Sequence, residues 1–400
     1  MISPQSARRR ALLAFGSVSF AYFAYSGLFG AFAPLWFQSL GYTTLAIGSL
    51  ASLQSATRLV GPYAWGWLAD HSGRRTRMLR LTAAASLASS FGFLATPGYG
   101  WVATVMVTLF IFTAGVSPLS ESALAHFVHR EGTFDALRYG RVRVWGSVGF
   151  ITAVIAGGYL LQAFGIGWFP ALTIALLAML LLATHRVPDV VEPPHPVEGL
   201  AGAMEVVRRP VVTWFFLGMI FTVMAHMSLY AFLSLYLASL GYAKGTIGLL
   251  WIIGVVLEVA WFWFHGRWIH LLPLHGWLML AAVASTLRFA ATAAFGHIPW
   301  VLVVAQCSHA LTFAAQHSAC AAVINRHFDG PLRARGQALY SVLGYGVSGV
   351  IGGVGGGALS ETWGFGAVFW AASIVAVVAA LCCWRALVLE RDAGLRTCRR

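Results

Sequence analysis

The sequence predicts an all-α membrane protein with twelve transmembrane helices, arranged as two related sets of six. Three observations predict this fold class: an apolar composition, a repeat at half the chain length, and a one-sided distribution of arginines. Hydrophobic residues make up 59% of the chain and charged residues 10%, whereas soluble domains carry about 25% charged residues. Apolar stretches of about 20 residues recur from end to end, each long enough to cross a bilayer as a helix. Strands of an outer-membrane barrel would instead alternate apolar and polar residues over about 10 positions.

The repeat divides the chain into two halves. Residues 39–42 and residues 239–242 both read Ser-Leu-Gly-Tyr. The match continues in register, because the pair Ile47-Gly48 recurs as Ile247-Gly248. Internal duplication in an apolar chain is typical of membrane proteins built from two related bundles around a central site.

The positive charge of the chain lies in the short connections on one side of the predicted helices. The net charge is +13, yet the opposite connections hold almost nothing basic beyond Lys244, the only lysine. This positive-inside bias predicts cytoplasmic termini in a bacterial inner membrane, and it argues against nucleic acid as a partner. The pattern includes every arginine except Arg58 and Arg288: Arg8, Arg9, Arg10, Arg74, Arg75, Arg77, Arg80, Arg130, Arg138, Arg141, Arg143, Arg186, Arg208, Arg209, Arg267, Arg326, Arg333, Arg335 and those from Arg385 to Arg400.

Turn residues and charges give the order of the spans. They are expected at 11–38, 44–69, 77–96, 100–127, 140–163, 167–186, 210–238, 245–265, 274–295, 299–325, 335–358 and 364–388. The proline-rich polar segment 188–209 falls near the midpoint and is typical of a linker. The predicted domains are therefore an N-terminal six-helix bundle over 1–187, a cytoplasmic linker over 188–209, and a C-terminal bundle with a short tail over 210–400.

The connection between spans 2 and 3 carries a recognisable motif. The stretch from Gly66 to Arg75 fits the pattern G-x-x-x-D-(R/K)-x-G-(R/K)-(R/K), and it departs only at His71, where a fixed cation is usual. With the twelve spans and the central linker, it resembles the major facilitator superfamily. The resemblance implies two six-helix bundles and alternating access. It also implies a conformational latch formed by Gly66, Asp70, Gly73, Arg74 and Arg75, in which the glycine at 66 permits close helix contact.

A second motif narrows the resemblance. Residues 138–150, which enter span 5, are similar to the Y-G-x-x-R-x-W-G-S-x-G-F run of the phenylpropionate permease group, itself similar to lactose permease and nucleoside–proton symporters. This implies a proton-coupled symporter of a small organic solute, preferably an aromatic or other carboxylate. Nucleoside or sugar uptake and drug efflux stay open, as does coupling to sodium.

Charged side chains inside the spans are the first candidates for the mechanism, because each costs at least about 2.5–3.5 kcal/mol at the bilayer centre. Glu258, Arg288, His309 and His317 lie in spans 8, 9 and 10. Lactose permease and its relatives use a carboxylate, an arginine and a histidine on these same spans. The resemblance therefore implies proton coupling by all four residues, with Glu258 as the proton carrier. The alternative is a static buried pair that orients the helices.

The second group of candidates would hold the substrate. The resemblance implies a grip formed by Glu121 in span 4 and an arginine in span 5. Arg141 and Arg143 are two residues apart, so only one should face the cavity, unless both simply anchor the helix at the membrane surface. Arg58 in span 2 matches Glu258 at the 200-residue offset, and its expected partner is a substrate carboxylate or Glu121.

Aromatic side chains complete the predicted cavity. Tyr22, Tyr25, Phe29 and Phe32 fall on one stripe of span 1, and we expect Tyr25 and Phe29 to line the cavity with His226 and Tyr230 of span 7. Packing is the alternative for such a stripe.

The expected partners are the bilayer, the solute and protons, and the chain is expected to act as a monomer. No cofactor or metal site is expected. A membrane-embedded enzyme is disfavoured, because the histidines are scattered and no H-E-x-x-H pattern occurs.

Overall fold

The computed structural model describes residues 4–96, 98–130, 133, 134, 136–189, 201–328 and 332–397. Half of the predicted linker, residues 190–200, lies outside these ranges. Two compact units are present. The first comprises Met1–Tyr42, Ala56–Pro196 and Ala243–Leu249, and the second comprises Thr43–Ser55, Val197–Tyr242 and Leu250–Arg400. The division into domains at 188 and 209 stays a prediction.

Six helices correspond to the first six spans. They are α1 (Pro4–Ser39), α2 (Thr44–Ser72), α3 (Arg75–Ser90), α4 (Tyr99–Val128), α5 (Ala136–Phe164) and α6 (Phe169–His185). Short 3₁₀ turns at Phe91–Leu94 and Ile166–Trp168 follow α3 and precede α6. The sequence did not predict the two-residue antiparallel strands β1 (His129–Arg130) and β2 (Thr133–Phe134), which lie between α4 and α5.

The second half continues with a short helix and then the remaining spans. Its helices are α7 (Ala201–Val207), α8 (Pro210–Ser239), α9 (Lys244–Phe264), α10 (Leu274–Phe295), α11 (Pro299–Cys307), α12 (Gln316–His327), α13 (Arg333–Leu339) and α14 (Ser348–Thr397). Two 3₁₀ turns, His265–Arg267 and Ile269–Leu271, follow α9. A π-helical segment, Ala310–Ala315, joins α11 to α12, and a second, Tyr340–Val347, joins α13 to α14. Helix α14 is interrupted at Gly364, whose φ of 78° is non-helical, so it supplies parts of two spans.

The helices satisfy the expectation of an all-α membrane protein. Among the described residues, eight helical stretches are long and apolar enough to cross a membrane, and the longest, Arg335–Asp392, contains two predicted spans. The fold class predicted from composition and repeat is therefore confirmed.

The sequence repeat produces the same turn twice. Gly41 and Gly241 have φ values of 82° and 87°, in the left-handed region where glycine has no Cβ penalty. Each glycine N–H donates to the carbonyl three residues earlier at 3.0 Å, and the backbone N–H groups of Tyr42 and Tyr242 donate to the carbonyl five residues earlier. Such bonds satisfy carbonyls at the end of a helix and stop it. The motif is therefore a helix C-terminus that fixes how α2 and α9 begin.

Candidate functional site

An open pocket lies in the first unit. Helices α1, α4 and α5 supply its walls. It is lined by Phe15, Val18, Ser19, Tyr22, Phe23, Val116, Ser117, Ser120, Glu121, Leu124, Tyr139, Val142 and Arg143. The lining combines aromatic rings with hydroxyls and a single pair of opposite charges, which suits a small solute with both an apolar and a polar end.

The charged pair in this pocket is loose. Arg143 Nε lies 3.9 Å from Glu121 Oε1, and the two side chains are 46% and 42% exposed. The Ser117 hydroxyl donates to the same carboxylate oxygen at 3.0 Å. The Arg143 guanidinium also lies over the Phe23 ring, 4.6 Å from its centre, in cation–π geometry. Most donors of Arg143 are therefore available to another acceptor.

The structure separates the two arginines of span 5. Arg143 lines the pocket, whereas Arg141 is exposed and lies outside the lining. Arg58 approaches the pocket from α2, close enough for an electrostatic interaction with Tyr22, which also interacts with Glu121 and Arg143. Sequence reasoning had placed Arg58, Glu121 and one of the two span-5 arginines together, and the structure does bring them around Tyr22.

Tyr25 and Phe29 occupy a different face of α1. Both are buried, and their ring centres lie 5.7 Å apart. The Phe29 ring also contacts Phe110 edge-on at 5.1 Å and Phe169 at 5.5 Å. The structure places these two side chains in the aromatic packing of the first unit, and Tyr22 is the member of the stripe that faces the pocket.

The second unit holds a buried arginine surrounded by neutral acceptors. Arg288 of α10 is 3% exposed. Its Nη1 donates to Thr312 Oγ1 and to His309 Nδ1, both at 2.9 Å, and its Nη2 donates to Gln306 Oε1 at 3.0 Å. A buried guanidinium needs its donors satisfied, because each unpaired one carries a full desolvation penalty.

This cage fixes the protonation pattern of His309. A guanidinium has only donors, so the Nδ1 that accepts from Arg288 cannot carry a hydrogen. The imidazole is therefore neutral, with its hydrogen on Nε2. That nitrogen lies 3.8 Å from Glu258 Oε2, a contact longer than a direct hydrogen bond. Glu258, His309 and Arg288 thus form a chain in which histidine separates the two charges.

His226 lies beside this chain. Its Nδ1 is 2.8 Å from the carbonyl oxygen of Thr222, so Nδ1 carries the hydrogen and Nε2 is an acceptor. Among the described residues, no hydrogen-bond partner is found for this buried Nε2. Its ring is 6.2 Å from the His309 ring and 6.4 Å from the Tyr230 ring, and Tyr230 stacks with Trp251 at 6.5 Å.

His317 is separated from His309 by a phenylalanine. The rings of His309, Phe313 and His317 form a column with centre distances of 5.0 Å and 6.0 Å. His317 Nδ1 lies 2.9 Å from the hydroxyl of Tyr340, which in turn lies 3.4 Å from that of Tyr345. The four predicted coupling residues therefore form two groups: Glu258, Arg288 and His309 in one, and His317 with two tyrosines in the other.

Comparison with known proteins assigns the family. The family model described as the MFS_1 like family matches residues 15–371, nearly the whole chain. The chain belongs to this family. The chain is 30% identical over 365 residues to the probable 3-phenylpropionic acid transporter of Escherichia coli (strain K12), which covers 90% of this chain and 94% of that protein. It is 29% identical over 394 residues to the maltose permease of Geobacillus stearothermophilus, at 93% of both chains.

Solved structures share the fold of this MFS_1-like protein. The crystal structure of the nucleoside transporter NupG superposes with a TM-score of 0.81 at 16% identity, over 94% of this chain and 99% of the other. A POT family transporter in complex with 5-aminolevulinic acid gives a TM-score of 0.72 at 12% identity, over 93% and 95%. The protein is a multi-pass membrane transporter of the major facilitator type and not an enzyme.

The motif between α2 and α3 has a defined geometry in this MFS_1-like protein. Asp70 pairs with Arg75 at 2.9 Å, and Arg75 also contacts the hydroxyl of Ser122. Gly73 has a φ of 60°, and the backbone N–H of Arg74 donates to the Ser72 hydroxyl at 3.3 Å.

The latch role expected for Gly66, Asp70, Gly73, Arg74 and Arg75 stays a prediction. A Cβ at Gly66 would meet no described atom within 4 Å, so no close helix contact depends on this glycine here.

Sequence reasoning missed Gln306 and Thr312. Neutral polar residues occur throughout the spans of this MFS_1-like protein, and nothing in their sequence pattern marks these two. The signal that could have found them is their spacing from His309, three residues on either side, which places them close to one face of span 10.

Proposed function

We propose that the protein is a proton-coupled symporter of a small organic carboxylate, working by alternating access. The observation that carries the proposal is the chain from the buried Arg288 through the buried His309 to the partly buried Glu258. In an apolar bundle, placing charged groups in such a chain costs stability. A functional use of their charge state accounts for their presence. Glu258 is the member that can gain and lose a proton without leaving Arg288 unsatisfied, because neutral acceptors hold the guanidinium.

The charge balance favours an anionic substrate. When Glu258 is ionised, its charge compensates that of Arg288 across His309. When it is protonated, the protein interior carries one more net positive charge, which favours the binding of an anionic solute. Anion and proton therefore favour each other's binding, and this mutual dependence is the requirement for thermodynamic coupling. A carboxylate carried with one proton also crosses the membrane as a neutral pair.

The pocket of the first unit supports an aromatic carboxylate. Arg143 can offer two parallel N–H donors to a carboxylate, with Arg58 as a second cation near Tyr22. Phe15, Phe23 and Tyr22 provide ring faces for the apolar part. The relative from Escherichia coli has a name that agrees with this chemistry. We place the protein in the bacterial inner membrane as a monomer, with both termini in the cytoplasm.

The test separates exchange from accumulation in proteoliposomes. Glu258→Gln should exchange labelled 3-phenylpropionate across the membrane at a rate within about threefold of wild type, because exchange needs no net proton movement. It should lose accumulation driven by an inward proton gradient. Glu205→Gln, in the short helix α7, is the matched control and should retain both. Gradient-driven accumulation by Glu258→Gln would overturn the proposal.

A neutral polyhydroxyl solute is the second candidate. The pocket carries three serine hydroxyls beside a carboxylate–guanidinium pair, a set that suits ribose or sugar hydroxyls as well as a carboxylate. The likeness to a maltose permease fits this alternative. Competition by unlabelled nucleosides or disaccharides against labelled 3-phenylpropionate distinguishes the two. Strong competition by a neutral solute favours this second candidate.

A further inference from the structure

The two repeat-related helix starts are each capped by a side chain from a distant helix. The backbone N–H of Leu45, at the start of α2, donates to Glu361 Oε2 at 3.0 Å. The backbone N–H of Gly245, at the start of α9, donates to Gln162 Oε1, also at 3.0 Å. Leu45 and Gly245 are equivalent in the 200-residue repeat, and positions 162 and 361 are equivalent to within one residue. The duplication has therefore preserved the cap while its acceptor has diverged.

Both caps belong to tight backbone contacts. A Cβ at Gly48 would collide with the carbonyl of Gly353, and Ser52 Oγ donates to the carbonyl of Val350 at 2.7 Å. In the repeat-related contact, a Cβ at Gly248 would lie 2.9 Å from the carbonyl oxygen of Val154. Small residues allow helix backbones to approach closely in membranes. Each cap thus lies at the edge of a close helix–helix contact.

The two acceptors differ in charge and not in position. A helix N-terminus has unpaired N–H groups and a partial positive charge, so it favours an anionic acceptor over a neutral one. A glutamate side chain can lose that advantage by taking up a proton. Glutamine has no such transition. The two contacts therefore differ in whether a proton can remove the charge of the acceptor.

Few other groups near the glutamate cap titrate in the same range. Residues 43–57 contain no charged side chain, and Glu361 is the only acidic or basic residue between positions 349 and 384 of α14. Helix α8 packs against Gly356 through Phe232, and the ionisable side chains in its C-terminal half are His226, Tyr230 and Tyr236. Helix α10 also packs against α14; it contains Arg288, and His297 follows its end. Tyr42 precedes α2. At the other cap, Lys244 adjoins Gly245. Tyrosine hydroxyls stay protonated below pH 7.

We propose that Glu361 is a positioning residue that makes the start of α2 open more readily in acid, whereas the start of α9 is held equally at all pH values. The consequence for transport rests on the alternating access proposed above, in which the end opposite the arginine-rich connections must open. Losing the charge at one helix terminus is worth about a two- to fivefold change in the opening equilibrium.

Backbone hydrogen exchange tests the proposal, because each helix start is the other's internal control. The full chain in lipid nanodiscs would be labelled with deuterium at pH 7 and at pH 4. The measured ratio is the amide exchange rate of residues 43–50 divided by that of residues 243–250, after correction for intrinsic rates. The wild-type ratio should rise about two- to fivefold on acidification. Glu361→Gln should give a ratio independent of pH, and Gln162→Glu should make the α9 start equally acid-sensitive.

The outcomes separate this proposal from the proposed function. A wild-type ratio that does not change between pH 7 and pH 4 overturns it, whatever the transport assays give. If Glu361→Gln fails to fold, the Gln162→Glu protein still decides, since an α9 start that stays insensitive to acid also overturns it. If Glu258→Gln still accumulates the solute, the proposed proton coupling is contradicted. The hydrogen-exchange result for the two helix starts is unaffected by that outcome.

Discussion

The two units keep their charged side chains in opposite environments. In the first unit, Glu121 and Arg143 are almost half exposed and 3.9 Å apart in an open pocket. In the second unit, Arg288 is 3% exposed and has three neutral acceptors. A loose exposed pair can exchange its partner for a solute at low cost, whereas a buried cage cannot open without leaving donors unpaired. Two copies of one scaffold have thus acquired different electrostatic designs, which we assign to substrate binding and proton coupling.

The largest expected effect comes from removing the buried arginine. Arg288→Gln leaves the caged acceptors without their donor and removes the charge that balances Glu258, so it should destabilise the protein by about 3–5 kcal/mol. Accumulation of substrate should fall at least about a hundredfold. Thermal unfolding of the purified protein, followed with transport in proteoliposomes, measures both. If Arg288→Gln is as stable as the wild type, the hydrogen bonds around Arg288 do not stabilise the second unit as the comparison of the two units requires.

The arginine of the open pocket should behave differently. Arg143→Gln removes a charge-assisted contact to the substrate, which is worth about 1.5–3 kcal/mol, so the half-saturation concentration should rise about 10- to 100-fold. Unfolding should change by less than about 1 kcal/mol, because the pair is exposed. Arg141→Gln, two residues away and outside the pocket, is the matched control. Equal losses of affinity in the two variants would contradict the assigned site.

The neutral acceptors of the cage provide a finer test. Thr312→Val removes one hydrogen bond to a buried cation, so we expect about 1.5–3 kcal/mol of destabilisation. Thr292→Val is a suitable control, since the Thr292 hydroxyl donates to the backbone carbonyl of Arg288 at 2.9 Å and not to its guanidinium. Chemical denaturation of both variants in the same detergent gives the difference. A control that is destabilised as much as Thr312→Val would show that the effect comes from packing.

The two histidines of span 10 should differ from each other, and His317→Gln has the smallest expected effect. His309→Gln should abolish proton-driven accumulation, because it removes the link between Arg288 and Glu258. His317→Gln should keep coupling and slow uptake by no more than about fivefold, because Phe313 separates His317 from the chain. Accumulation ratios at several imposed pH gradients distinguish the two. Loss of coupling in His317→Gln would show that His317 acts together with His309, although Phe313 lies between them.

The sequence was sufficient for the features that depend on composition and register. The apolar spans and the glycine turn at 41 and 241 follow from patterns that one helix or one repeat displays. The grouping of Glu258, Arg288 and His309, which lie on three spans, was implied only by the family resemblance. The neutral cage does not follow, because glutamine and threonine make hydrogen bonds whose partners only tertiary packing selects. The side chains of the stripe from Tyr22 to Phe32 contact both the pocket and the packed interior of the first unit. The sequence therefore could not distinguish the pocket-facing Tyr22 from the buried Tyr25. The π-helical segments beside His309 and Tyr340 gave no signal, since a one-residue widening of a helix leaves the apolar pattern almost unchanged.

Proton movement on substrate addition tests the central claim most directly. In energised or lightly buffered proteoliposomes, 3-phenylpropionate added outside wild-type protein should make the external medium more alkaline, by about one proton per solute taken up. Glu258→Gln should exchange the solute without any alkalinisation, while Arg143→Gln should show a weaker signal only because it binds less solute. Alkalinisation by Glu258→Gln equal to that of wild type would contradict the assignment of proton coupling to the chain from Arg288 to Glu258 in the second unit.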